Sequence, residues 1–171
     1  MVFLLIILTL LVYASELQLS RLPTFGTPPK AMTNVAATYN NETNEILIFG
    51  GQSLETEHYS STIYKFNLNT FLWGEEFCGS ELKPTGLMSA IVLMQSSTKL
   101  LVLFGNVFDE ISSDCYSFDF ETQSWEIEKL KGDKISGRVK SAYCEFEYNS
   151  TRFLAIYGGT TYKGISNELY L

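Results

Sequence analysis

This 171-residue chain predicts an all-β fold in which one small antiparallel sheet is repeated. Three observations carry that reading. A single pattern recurs three times in fixed order: an apolar run, a small-residue doublet, a loop, a tyrosine and, in the first two copies, a tryptophan. The apolar runs are of strand length and rich in β-branched and aromatic residues, the composition of strands buried on both faces. Aromatic residues make up 14% of the chain and mean hydropathy is +0.06, a balance of packed globular proteins and not of disordered ones.

In the first unit, Val35-Ala36-Ala37-Thr38-Tyr39 reads as an opening strand, and 45–49 as an apolar strand entering Gly50-Gly51; Tyr64 and Trp73 follow. In the second, 89–94 opens, 99–104 leads into Gly105-Asn106, and Tyr116 and Trp125 follow. In the third, 141–146 opens, 152–157 leads into Gly158-Gly159, and Tyr170 stands one residue before the last. Gly50 to Gly105 is 55 positions, Gly105 to Gly158 is 53, and both complete units place nine positions between Tyr and Trp. Glycine after a strand permits positive φ or a close backbone approach, and asparagine at 106 is among the few other residues that tolerate that region. Tyr and Trp each combine large apolar area with one polar handle, which suits wedging between adjacent sheets.

A doublet-and-aromatic unit of about fifty residues resembles the kelch repeat, the four-stranded blade of a β-propeller. The resemblance covers roughly residues 31 to 171. It implies a first blade at 31–86, a second at 87–138 and a partial third at 139–171, after a leader at 1–14 and a segment at 15–30. A propeller closes with roughly four to eight blades. Two complete blades and one partial therefore form an incomplete ring, with further blades expected from a longer chain or lost from a truncated gene model. A third tryptophan is expected near position 179. In 16–22, Leu17 and Leu19 alternate with polar residues, as in a half-buried strand, so this stretch is expected to be the outer strand of a blade whose other strands lie elsewhere.

Residues 2–12 form an apolar run with one threonine, the length of a secretory h-region and too short to span a bilayer; cleavage is expected after Ala14. No lysine or arginine precedes it. Two sequons, Asn41-Glu42-Thr43 and Asn149-Ser150-Thr151, fall in the turn between the first and doublet strands of their units, making Asn41 and Asn149 candidate N-glycosylation sites. The odd count of cysteines, Cys78, Cys115 and Cys144, leaves buried free thiols and a disulfide open as readings.

The resemblance implies that the doublet, Tyr and Trp residues build blades and perform no chemistry. No catalytic, cofactor-binding or metal-ligating residue is assigned. His58 is the one histidine, with no second His or Cys beside it, and Asp109, Glu110 and Asp114 lack the spacing of a calcium loop. A formal net charge of -7 without a basic cluster disfavours nucleic acid as a partner. The segments 52–61, 106–114 and 160–167 leave equivalent points and should emerge on one face, varying from unit to unit as binding loops on a scaffold do. The reading is a non-enzymatic interaction module of a secreted or membrane-anchored protein, taking a protein or glycan partner and no cofactor. The alternatives are an extracellular oxidase or glycan-active enzyme with its catalytic residues in further blades, and an intracellular kelch adaptor.

Overall fold

The computed structural model describes residues 20–108 and 110–171. In chain order the first blade holds β1 (Phe25–Gly26), β2 (Met32–Thr33), β3 (Ala36–Asn40), β4 (Glu45–Phe49), β5 (Gln52–Ser53), β6 (Ile63–Asn67) and β7 (Leu72–Glu75). The second holds β8 (Ile91–Ser96), β9 (Lys99–Leu103), β10 (Asn106–Val107), β11 (Glu110–Ile111), β12 (Cys115–Asp119) and β13 (Ser124–Glu128). The third holds β14 (Ala142–Tyr148), β15 (Thr151–Tyr157), β16 (Thr160–Thr161), β17 (Gly164–Ile165) and β18 (Leu169–Tyr170). The described residues contain no helix.

The three larger sheets run β1-β7-β6-β4-β3, β13-β12-β9-β8 and β14-β15-β18, and the described residues form no closed ring. All neighbours pair antiparallel except β1, which lies parallel to β7 with Phe25 opposite Leu72. Of the expected outer strand at 16–22, residues 16–19 lie outside the described residues and 20–22 carry no strand. The chain instead adds Phe25–Gly26 to the outer edge of the first blade. Leu17 and Leu19 lie outside the described residues, and the pairing of β1 is made by backbone groups that no side-chain pattern announces. The expected leader at 1–14 also lies outside the described residues.

Register places the repeat. Phe49, Leu103 and Tyr157 face Ala36, Ile91 and Ala142 across the first hairpin of each blade. The doublets that follow are therefore Gly50-Gly51, Phe104-Gly105 and Gly158-Gly159. This corrects the expected Gly105-Asn106 by one residue: Asn106 already belongs to β10, bridging Met88. With that correction Gly51 to Gly105 and Gly105 to Gly159 are both 54 positions. Phe104 holds φ +59°, a conformation that costs a bulky residue about 1–3 kcal/mol. Its ring is buried with Ile91, Leu93, Cys115 and Ile156, a burial of about 1.5–3 kcal/mol that offsets the strain. At Gly50 no such exchange is open, because a Cβ would sit 2.1 Å from the Leu87 carbonyl oxygen.

The core fills the two joints between blades. Val92 and Met94 of β8 pack toward Leu47 and Phe49 of the first blade, and Ile91 and Leu93 pack toward Ile156 of the third. The unbroken apolar run of β8 follows from this, since each face meets a different sheet. Trp125 does wedge between blades: it is buried, with its ring 5.5 Å from Phe49 and 5.1 Å from Phe118. Trp73 is half-buried and stacks within its own sheet on Phe66, at 4.8 Å.

Candidate functional site

Antiparallel order sends the three β4-, β9- and β15-derived loops to one end of the sheets, together with the linkers 76–90 and 129–141. The turns holding Asn41 and Asn149 lie at the other end, and both asparagines are exposed. Asn149 and Ser150 form a two-residue turn with both φ positive, between Tyr148 and Thr151.

Each loop is closed at its base by the same device. The carbonyls of Gly51, Gly105 and Gly159 accept the N–H of Ser60, Ser112 and Ser166 at 2.9, 2.8 and 2.9 Å. Each of these serine hydroxyls accepts a backbone N–H two residues on, from Thr62, Asp114 and Glu168. The linkers then press against the bases. Gly86 and Gly137 occupy equivalent positions, and a Cβ there would meet Tyr59 and Ser112 backbone atoms at 2.3 and 2.4 Å. The N–H of Gly51 donates to the Leu87 carbonyl at 2.8 Å, and that of Gly105 to the Arg138 carbonyl at 3.3 Å.

The loops also touch across blades. The Tyr59 ring meets Phe108 edge-on at 5.1 Å, and the Ile111 N–H donates to the Tyr162 hydroxyl at 2.7 Å. Once the register is corrected, Leu54, Phe108 and Tyr162 stand at one equivalent position, third after the second doublet residue. They are 70%, 71% and 70% exposed. Two clefts lie among the loops: about 490 Å³ against Tyr59, Pro84 and Phe108, and about 310 Å³ against Ile111, Tyr116 and Tyr162. Tyr116 donates to an Asp114 carboxylate oxygen at 3.3 Å; burial first, and Asp114 second, raise its phenol above the ordinary range.

The remaining predicted residues are structural in placement. Tyr64 and Tyr116 occupy matching positions in β6 and β12, and Tyr170 lies in β18 under the Arg138 guanidinium, 4.9 Å from the ring centroid. Arg138, which sequence reasoning missed, is fully buried. It donates to the carbonyls of Ser136 and Gly158 at 3.1 and 2.9 Å and meets Glu168 at 3.4 Å. The one available signal was a lone arginine after Gly137, at the position Leu87 holds in the preceding linker. His58 is exposed in its loop, Asp109 lies outside the described residues, and among the described residues no three His, Cys, Asp or Glu side chains gather as a metal group. Cys78, Cys115 and Cys144 are all free thiols, and burial pushes the Cys115 thiol up to about 11.

Blades of this register, joined by short linkers and presenting loops at one end, define a protein of the β-propeller class. The chain belongs to the kelch-repeat family: a model of the KLHDC2/KLHL20/DRC7 Kelch-repeats domain matches residues 7–171. A comparison with curated proteins gives no match. Kelch-repeat domains are generally non-enzymatic protein-interaction folds. No helix among the described residues is long and apolar enough to cross a membrane.

Proposed function

We propose that this chain is a non-enzymatic kelch-repeat interaction module of a secreted or membrane-anchored protein, and that it binds a protein or glycan partner through the loop face. The observation that carries the reading is the set of three loops of differing sequence on one end, each stapled by the same Gly–Ser pair and each exposing a large apolar residue. A rigid base under variable loops lowers the ordering cost of binding. The test replaces Leu54, Phe108 and Tyr162 together by serine and measures cross-linking to a partner in living cells. Adducts are expected to disappear, and a Tyr148→Ser change at the opposite end is expected to leave them intact. Equal adduct yield from all forms would reject the loop face.

The secretory setting rests on the apolar run at 2–12 and on two sequons in exposed turns. Expression in a secreting eukaryotic host is expected to give a mature amino terminus after Ala14 and two glycosidase-sensitive mass steps, one abolished by Asn41→Gln and one by Asn149→Gln. The second reading, an intracellular kelch adaptor, is favoured by one observation: the family match begins at residue 7, inside the apolar run. Three free thiols agree with it. A retained residue 1–14 segment without glycan decides for that reading.

A further inference from the structure

The loop face carries a feature that narrows the partner. The two clefts share Thr85 and Val107, and each sets two aromatic rings beside two carboxylates. One is lined by the aromatic rings of Tyr59 and Phe108 and the carboxylates of Glu57 and Glu81. The other is lined by Tyr116 and Tyr162 with Glu110 and Asp114. Both clefts are open to solvent, and none of these four acids forms an ion pair among the described residues. Lys83 and His58 border the first cleft, and no cation borders the second.

An aromatic face next to a carboxylate that has no cationic partner suits a guanidinium. Its plane stacks on the ring, its charge is attracted by the ring quadrupole, and its fork of N–H donors pairs with the carboxylate. A lysine ammonium gains the charge terms but not the planar fit. An acidic or neutral ligand would leave four carboxylates without a cationic partner beside it, and charge complementarity therefore decides the occupant. Resting on the loop-face reading above, we infer that the partner is an extended protein segment with two arginines, one in each cleft, and an apolar residue against Val107 and Phe108.

A random-peptide phage library panned against the full chain tests this. The selected peptides are expected to carry paired arginines flanked by apolar residues. A fluorescein-labelled copy of the most enriched peptide is expected to lose about tenfold in affinity on Glu110→Lys and on Phe108→Ser, and to bind more weakly as salt is raised. Both substituted side chains are exposed, and unchanged circular dichroism melts confirm that the variants fold. Selection of acidic or arginine-free peptides that still depend on Phe108 overturns the arginine assignment and leaves the loop-face reading standing. Selection that neither variant affects, or no selection at all, overturns both. A concentration-dependent dimer that Phe108→Ser returns to monomer makes a second copy of the chain the occupant, and also overturns the assignment.

Discussion

The two joints of this molecule hold the same register by different chemistry. Between the first and second blades the linker residue is Leu87, buried over an apolar core that includes Phe49 and Trp125. Between the second and third the equivalent residue is Arg138, whose guanidinium bonds forward to Gly158, Glu168 and Tyr170. At the far end of the sheets, the first joint is tied by Asn40 donating to the Ser97 carbonyl at 2.8 Å. The second is tied by Arg152, which donates to the Met94 and Gln95 carbonyls and pairs with Glu145. Sheet burial follows the same division: β8 has four consecutive buried residues, whereas β14 is exposed except at Tyr143. A propeller joint can thus rest on area or on a few directed bonds, and the two kinds should fail differently.

The largest break is expected at the apolar joint. Trp125→Ala removes a buried ring and should cost about 3–5 kcal/mol, read as a lowered denaturant midpoint for the whole chain. The same change at half-buried Trp73 should cost markedly less, although the two tryptophans are equivalent in sequence. Arg138→Ala should cost about 2–3 kcal/mol, because the Ser136 and Gly158 carbonyls lose a charged donor and Gly158 keeps only the Ser141 hydroxyl, at 3.2 Å. Its signature is local: amide exchange should quicken in β14, β15 and β18 while β8 to β13 keep their protection. Arg138→Leu sharpens the comparison, since it copies Leu87. If stability returns with leucine, the polar joint is replaceable by an apolar one.

Smaller effects test the details. Phe104→Gly relieves a strained backbone but empties a buried site, for a net loss of about 2 kcal/mol in chemical denaturation. The smallest is a pH effect within the second blade. Lys99, at 2.8 Å, and then the Ser117 hydroxyl hold the Glu128 carboxyl below its usual range. Because the folded value is lowered, this contribution is complete above the unfolded pKa of about 4.3 and is lost as pH falls through the folded value. Glu128→Gln should flatten that acid limb by less than about 1 kcal/mol, measured as melting temperature against pH.

The blades were legible because their parts are chemically conspicuous: doublets, a Tyr–Trp interval and short apolar runs in constant order. The doublet in the second blade was misplaced by one residue because a phenylalanine in the left-handed region has no signature. Glycine and asparagine side by side looked the better pair, and only strand register shows Phe104 in the turn. That slip also hid part of the site. Counted from Gly105-Asn106, the residue equivalent to Leu54 and Tyr162 is Asp109, and the exposed trio disappears. The loop end itself could be read from alternation of strand direction. The joining of Tyr59 to Phe108 and of Ile111 to Tyr162 could not, since contacts between blades depend on loop paths. Arg138 was missed for a related reason: a single arginine in a linker reads as solvated until the next blade covers it.

The Gly–Ser staples have a consequence for change over time and for engineering. They bound inserts of eight, six and six residues, 52–59, 106–111 and 160–165, whose ends are joined by the same serine N–H to glycine carbonyl bond in every blade. Lengthening such an insert costs only about 0.6 kcal/mol per doubling, because the closure is already made by the staple and the strands outside it do not shift. Each insert is therefore a socketed cartridge, exchangeable between blades or replaceable by foreign sequence while the scaffold keeps its register.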